Sequence, residues 1–251
     1  MGLNKSCFHG QFSATLLLSL ALLFPCMAIA SNVPVIEADP HRNEVGFFDI
    51  HVCNWPDRPQ FFYGLFASKR FNEIDSVELF RPDKSSLGRL NMQAFRVVVT
   101  KNEPVKQVYM TQFPTLETDK DGWYTATVTL KDGRQFEAKD FVKVNSLPNA
   151  KFEGLFPANG AVNISIPEEL HWQPIDGARF YQVFITDLWD EGIQFYKSDI
   201  LKENRLKLPP GLLKQGGLYS WRVHARDVNE DKILGDFNSG SLGPEAKFSV
   251  K

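Results

Sequence analysis

Cysteine is scarce in this chain, which has three in 251 residues. Cys7 and Cys26 lie near the N-terminus, so Cys53 stands alone in the remainder. That remainder cannot close an internal disulfide, and its stability must come from a hydrophobic core. If the chain is exported, an odd thiol also leaves intermolecular pairing through Cys53 open.

The sequence also lacks an excess of one charge. Lysine and arginine total 28, aspartate and glutamate total 30, and the formal net charge is −2. The charges are scattered, so nothing supports nucleic-acid binding or a polybasic membrane patch. With 43% hydrophobic and 23% charged residues, the composition is that of a globular protein and excludes a disordered chain.

Long hydrophobic runs are missing beyond the N-terminus. Lys5 precedes the apolar run Ala14–Leu23, and Ala28-Ile29-Ala30 has the small-x-small pattern that a signal peptidase reads. A membrane span needs roughly 20 apolar residues, so we expect a signal peptide over 1–30 rather than a retained anchor. A lipoprotein at Cys26 is the other alternative, disfavoured by the bulky Phe24-Pro25 before it. The mature chain is then exported, periplasmic or extracellular, with no membrane span.

Catalytic motifs are absent as well. The sequence contains no GxSxG, no HExxH, no phosphate loop and no Cys–His pair in a nucleophile context. We therefore predict a protein that is not an enzyme, with no catalytic, cofactor-binding or metal-ligating residues. A small hydrolase with an unrecognised carboxylate pair is the third-ranked hypothesis, because such a pair forms only in three dimensions.

What the chain does have is alternation of apolar and polar residues with period two, from residue 44 onward. In Gly122–Lys131 the residues Tyr124, Ala126, Val128 and Leu130 alternate with threonines, and an Asp132-Gly133 turn follows, which is a strong hairpin signal. Six further strands are predicted in this half: Glu44–Cys53, Gln60–Ala67, Ser76–Arg81, Phe95–Thr100, Val105–Phe113 and Gln135–Val144. Short strands at this spacing favour a β-sandwich.

A polar, proline-containing stretch, Asn145–Asn149, separates this series from a second one. The second series is predicted at Phe152–Phe156, Glu169–Ile175, Arg179–Trp189, Ile193–Leu201, Arg205–Leu208, Leu218–Val228 and Glu245–Val250. The fold class is therefore all-β, with two consecutive sandwich domains at 31–147 and 148–251 and no long helix after residue 44.

The second half carries a more specific pattern. Leu170-His171-Trp172 is followed by Gly177–Val183, and Gly216-Gly217 leads into Tyr219-Ser220-Trp221. These motifs resemble the fibronectin type III-like domains of bacterial exported proteins, over about residues 150–251. The resemblance implies a fold rather than a function. We expect Trp172, Tyr181, Tyr219 and Trp221 to form the core, with the Tyr219 hydroxyl returning to nearby backbone as a tyrosine corner.

The first half resembles an immunoglobulin-like domain only loosely. The resemblance rests on Gly122-Trp123-Tyr124 leading into the hairpin, and the two cysteines of an antibody-type domain are missing. Together the two resemblances imply consecutive immunoglobulin/fibronectin III-like sandwiches.

One strand places Asp49, His51 and Cys53 on a single face, opposite a core face formed by Phe48, Ile50 and Val52. Adjacent same-face residues lie roughly 6.5–7 Å apart, so two of the three could reach one soft metal ion. The alternative is a buried, metal-free Cys53 thiol that behaves as a small hydrophobe, and this is our prediction.

Aromatic residues supply the remaining candidates. Pro59–Phe66 is apolar on both faces, which favours a strand buried on both sides over an exposed patch. Trp189 lies between two predicted strands, where we expect its ring to fold back over its own hairpin. We take Trp55, Phe62 and Trp189 as tentative ligand or partner contacts. The leading hypothesis is a non-catalytic binding or structural module with a protein partner. The alternative is a carbohydrate-binding or enzyme-accessory protein that stacks sugars on these rings.

Overall fold

The structure, a computed structural model, describes residues 39–99, 101, 104–144, 147–190, 192–228 and 237–251. The predicted signal peptide, Cys7 and Cys26 lie outside these ranges, as do Asn145 and Ser146 of the predicted linker. Within these ranges the protein is all-β, and the helical content is one 3₁₀ turn at Phe71–Glu73. No helix in these ranges is long and apolar enough to cross a membrane.

Strands follow one another throughout the described chain. The first half contains β1 (Gly46–Asn54), β2 (Phe61–Ser68), β3 (Ile74–Phe80), β4 (Ser86–Arg89), β5 (Phe95–Val98), β6 (Lys106–Pro114), β7 (Gly122–Leu130) and β8 (Gln135–Val142). The second half contains β9 (Ala161–Ile164), β10 (Glu169–His171), β11 (Phe180–Asp187), β12 (Ile193–Lys197), β13 (Arg205–Lys207), β14 (Leu218–Arg226), β15 (Ser239–Leu242) and β16 (Ala246–Val250).

The first half is a sandwich of two sheets. Strands β1, β2, β6 and β5 are neighbours in one sheet, and β4, β3, β7 and β8 form the other. The alternation predicted for β7 is confirmed, because Tyr124, Ala126, Val128 and Leu130 are all buried. They pack in one core with Phe48, Ile50, Val52, Phe62 and Phe66. Gly133 supplies the positive φ of 87° in the β7–β8 turn.

The second half is also a sandwich. Its two-stranded sheet pairs β10 with β13, and the facing strands run in the order β12, β11, β14, with β16 and then β9 attached to β14. Trp172, Tyr181, Tyr219 and Trp221 lie together in its core, as the resemblance implied. The tyrosine corner forms as well, since the Lys214 N–H donates to the Tyr219 hydroxyl at 2.9 Å.

Strand β15 joins the two halves into one sheet. It pairs antiparallel with β14, where Arg226 lies opposite Gly240. It also pairs in parallel with β1, where Cys53 lies opposite Gly240. The result is a ten-stranded sheet that runs through both sandwiches and borders both cores. Asn54 Nδ2 also donates to the Leu147 carbonyl at 2.9 Å, so the chain next to the predicted linker is tied to β1.

Some strand predictions were wrong. Phe152–Phe156 is not a strand, and only Phe156 makes an isolated bridge, to His171. Gly154 has a φ of 78°, which turns the backbone out of an extended path. Three strands were not predicted, β4, β9 and β15. Their sequences, SLGR, AVNI and SGSL, show no clear alternation of apolar and polar residues from which a strand could be predicted.

Candidate functional site

The polar row on β1 lies inside the protein. Asp49, His51 and Cys53 expose 0%, 5% and 2% of their surface, although they face away from the first core. His51 Nδ1 lies 3.0 Å from Asp49 Oδ2. Among the described residues, no three His, Cys, Asp or Glu side chains are grouped so as to hold a metal ion.

Residues of the second half cover this row. The Phe237 ring lies 3.9 Å from the His51 ring, and the Arg226 guanidinium lies 4.8 Å from the Phe237 ring centre. Arg226 donates from Nη2 to Gln182 Oε1 at 2.9 Å, and from Nε to His224 Nδ1 at 3.2 Å. These residues form what we call the junction layer: Asp49, His51, Cys53, Gln182, His224, Arg226 and Phe237. The layer lies where β14, β15 and β1 meet.

Burial dominates the electrostatics of the junction layer. It lowers the pKa of His224 well below the ordinary value, and the charge of Arg226 lowers it further. Burial also lowers the pKa of Arg226 to about 10, although the charge of Asp49 acts in the opposite direction. The hydrogen bond from Arg226 Nε requires an unprotonated His224 Nδ1. Geometry and electrostatics therefore agree on a neutral His224.

This arrangement predicts an acid-sensitive fold. Below about pH 6.5, the ordinary pKa of histidine, the unfolded chain binds a proton at His224 and the folded chain does not. The free energy of unfolding should therefore fall, by up to about 1.4 kcal/mol per pH unit from this residue. Urea unfolding at a series of pH values measures the slope. The variant His224→Gln keeps an acceptor for Arg226 and should show a shallower slope, whereas equal slopes would contradict a neutral His224.

The aromatic segment of β2 is buried on both sides, as its composition favours. Phe62 and Phe66 expose none of their surface and belong to the first core. Leu65 points the other way and packs with Phe47 in a small separate cluster. The prediction of Phe62 as a ligand contact was wrong, because a ligand cannot reach a ring whose strand is covered on both faces.

The two candidate tryptophans differ in exposure. Trp55 is half-buried, with Phe61 edge-on at 5.3 Å and the Arg58 guanidinium 5.6 Å from its ring centre. Trp189 exposes 71% of its surface at the β11–β12 turn. Its Nε1–H donates to the Gly216 carbonyl at 3.2 Å. The expectation that Trp189 folds back over its own hairpin was wrong, because this hydrogen bond anchors the indole while most of the ring stays in solvent.

A further aromatic surface was missed by the sequence reasoning. Trp123 on β7 and Phe141 on β8 are directly opposed, expose 48% and 40% of their surface, and meet edge-to-face at 5.4 Å. We call this pair and its surroundings the Trp123 surface. The signal was present in the sequence: Tyr124 and every second residue after it face the core, so Trp123 must face outward.

Two open hollows flank Trp123. The first, of about 610 Å³, is lined by polar groups that include Asp39, His41, Asp140 and Lys143. The second, of about 690 Å³, is lined by residues that include Phe80, Arg81, Lys84, Thr125, Thr127, Glu137 and Lys139. The Trp123 ring therefore stands between two hollows whose linings combine charged and apolar side chains, and the second hollow also presents the hydroxyls of Thr125 and Thr127.

Hydrogen bonds fix the polar wall of the first hollow. His41 Nδ1 lies 2.8 Å from Asp39 Oδ1, and His41 Nε2 lies 3.2 Å from Asp140 Oδ1. The other Asp140 oxygen accepts the Ile50 N–H at 2.7 Å, which ties β8 to β1. Partial burial raises the pKa of Asp39, but hydrogen bonds from His41 and the charges of His41 and Arg42 hold it below its ordinary value. Asp39 is therefore ionised at neutral pH.

Comparison with known proteins identifies no family. No protein-family model and no curated protein match the chain. Among solved structures, titin domains match at 14% identity, over 80% of this chain and 66% of that one, with a TM-score of 0.25. The FN1–FN3 domains of chicken CNTN1 match at 12% identity, over 81% and 65%, with a TM-score of 0.24.

A third solved structure is a bacterial protein with a bound sugar. It is SGBP-B of the Bacteroides ovatus mixed-linkage glucan utilization locus, in complex with a mixed-linkage heptasaccharide. It matches at 11% identity, over 79% of this chain and 42% of that one, with a TM-score of 0.22. The chain spans less than two thirds of each of these three structures. The fold assignment therefore rests on the chain's own sheets and cores.

Proposed function

We propose that the protein is a non-catalytic exported binding or structural module. Its signal peptide, 1–30, is removed, and two sandwiches, 31–147 and 148–251, form one scaffold that holds the binding surface. The observation that carries the proposal is the Trp123 surface, an exposed aromatic pair held on paired strands at the outer face of a sheet. Ligand-binding side chains placed on rigid strands lose little conformational entropy when the ligand binds.

A protein partner is the leading ligand class. Aromatic residues are enriched in the buried centres of protein interfaces, where a few of them carry most of the binding energy. The Trp123 surface has this centre, and charged side chains such as Lys84, Glu137 and Lys139 surround it as a polar rim. We propose that the partner buries the Trp123 ring and contacts this rim.

A carbohydrate is the second candidate, and the two hollows favour it. A sugar ring presents an apolar face of C–H groups and a rim of hydroxyls, which suits an indole set between Thr125 and Thr127 on one side and carboxylates on the other. Trp55 and Trp189 remain predicted secondary contacts.

The two candidates are separated by one pair of experiments. A photo-crosslinking amino acid at position 123 should capture one partner protein in the exporting host, and the same group at the exposed Asp75 of β3 should not. Affinity electrophoresis in soluble polysaccharides tests the sugar. If a sugar is the ligand, Trp123→Ala and Phe141→Ala should weaken binding about tenfold or more. Phe152→Ala, which removes a 43% exposed ring elsewhere, should bind as the parent does.

Each outcome decides between the candidates. Identical adducts from positions 123 and 75 would contradict the protein partner. Unretarded migration of the parent in every polysaccharide would contradict the sugar. Both results together would overturn the assignment of the Trp123 surface as the binding site.

A further inference from the structure

A histidine between two carboxylates fixes residues 39–42 to the first sandwich. His41 Nδ1 lies 2.8 Å from Asp39 Oδ1, and His41 Nε2 lies 3.2 Å from Asp140 Oδ1. The His41 side chain exposes 15% of its surface and the Asp140 side chain exposes 6%. Asp140 belongs to β8, so the imidazole joins two segments that are 99 residues apart in the sequence.

Both contacts of the imidazole require a hydrogen. A carboxylate only accepts hydrogen bonds, and a neutral imidazole carries one N–H. Asp39 is ionised at neutral pH, so its contact takes the N–H of a neutral ring, and the contact with Asp140 needs a second proton. Asp140 Oδ2 already accepts the Ile50 N–H at 2.7 Å, a hydrogen bond that stabilises the carboxylate form. The second proton is therefore on His41, which is an imidazolium.

The charges around the ring support the imidazolium. The charged side chains that face it are Asp39 and Arg42 on its own segment, Asp140 on β8 and Lys143 just after β8. Strand β1 contributes the Phe47 ring, stacked at 5.7 Å, and the described residues of the second half in this hollow, Val228 and Asn238, are uncharged. Arg42 Nε donates to the other Asp39 oxygen at 3.1 Å, whereas both carboxylates contact the ring directly. Opposite charges at contact distance favour the charged form.

We propose that His41 is a proton-dependent clasp, which holds residues 39–42 against β8 and β1 as an imidazolium and loosens when the ring loses its proton. A neutral ring can donate to only one of the two carboxylates, so the clasp loses one of its two contacts. The clasp forms part of the wall of the first hollow beside Trp123. Rising pH therefore loosens that wall. The proposal rests on the contacts of His41 and does not require a ligand at the Trp123 surface.

The direction of the pH effect follows from proton linkage. In the unfolded chain His41 holds its proton only below about pH 6.5, whereas in the folded chain it keeps the proton to higher pH. The stabilisation by the clasp is therefore complete below about pH 6.5 and is lost as the pH rises through the titration midpoint of the folded chain. The effect is opposite in sign to that of His224, which is neutral in the folded chain.

NMR titration of the His41 ring carbon and proton signals tests the charge. The signals are assigned by their absence from His41→Gln. The midpoint in the parent should lie at least about one pH unit above the ordinary histidine value of about 6.5. Asp140→Asn keeps the shape of the side chain and should lower the midpoint, whereas Asp75→Asn on β3 should leave it unchanged. A parent midpoint at or below about 6.5 would overturn the proposal.

Hydrogen exchange at two backbone amides tests the loosening. The Lys139 N–H donates to the Pro40 carbonyl at 2.8 Å, and the Phe48 N–H donates to the His41 carbonyl at 2.8 Å. Corrected for the intrinsic pH dependence of exchange, the protection of both amides should fall about tenfold or more between pH 6 and pH 9. The amide of Val128, at the centre of β7, should keep its protection.

The variant His41→Gln assigns the loosening to the imidazole. Glutamine cannot take a charge, so the Lys139 and Phe48 amides should be weakly protected at both pH values. Protection in the parent that does not change with pH would overturn the proposal. The same pH-dependent fall in His41→Gln would also overturn it, because another group would then be responsible.

Discussion

Replacing Trp172 by alanine is expected to lower the free energy of unfolding by about 3–5 kcal/mol. Trp172 exposes 1% of its surface. Its ring centre lies 5.4 Å from that of Tyr181 and 6.3 Å from that of Trp221. Its Nε1–H has no hydrogen-bond partner among the described residues. The loss therefore comes from apolar transfer and from the cavity, with no hydrogen bond to lose.

Urea unfolding of two further variants isolates this effect. Trp172→Phe retains a ring in the cavity, so its free energy of unfolding should fall by less than that of the alanine variant. Trp189→Ala makes the same substitution at a 71% exposed tryptophan and should cost less than about 1 kcal/mol. A Trp172→Ala variant that unfolds at the same urea concentration as the parent would contradict the packing of the second core.

Replacing Asp49 by asparagine is expected to cost about 3 kcal/mol. Asp49 is fully buried, its Oδ2 lies 3.0 Å from His51 Nδ1, and its charge raises the pKa of Arg226. Asparagine keeps the shape but removes the negative charge, so the buried guanidinium loses a compensating charge. The same change at the exposed Asp75 of β3 should leave the free energy of unfolding almost unchanged.

A double-mutant cycle shows whether the cost reflects this coupling. Arg226→Met removes the cation and keeps an apolar side chain of similar length. The double variant Asp49→Asn/Arg226→Met should be more stable than the sum of the single changes predicts, by about 0.5–3 kcal/mol. Additive free energies would show that Asp49 and Arg226 do not stabilise the junction layer together.

The alternation of apolar and polar residues was enough to predict which side chains face inward wherever a strand packs against a single core. The alternation from Tyr124 to Leu130 identified the inward face of β7 because a side chain's direction in a strand depends only on its position. Trp172, Tyr219 and Trp221 were expected in the second core from the fibronectin type III-like motifs that contain them, and alternation agrees, since Tyr219 and Trp221 share one face of β14. The Tyr219 hydroxyl reaches its backbone partner five residues away, so that contact is also local.

Long-range pairing was not predictable in this way. Strand β15 has the sequence Ser239-Gly240-Ser241-Leu242, in which no hydrophobic period can be read. Its partner strand β1 lies near the opposite end of the described sequence. Position 240 must be glycine because the Phe237 and His224 side chains lie close to its Cα: a Cβ there would lie 2.5 Å from the Phe237 ring and 2.8 Å from His224 Nε2. Only the assembled sheet shows this requirement.

The sequence by itself determined that this protein is all-β, that alternate residues of β1 and β7 face the first core, and that Asp49, His51 and Cys53 share one face of a strand. Those properties follow from the fixed alternation of side chains along an extended backbone. Only the tertiary structure decided that β15 joins the halves, that this polar face is covered by Arg226 and Phe237, and that the Trp123 and Phe141 rings meet edge-to-face on the outer face of their sheet. Burial of the second face of a strand depends on which distant segment packs against it, and no local pattern carries that information.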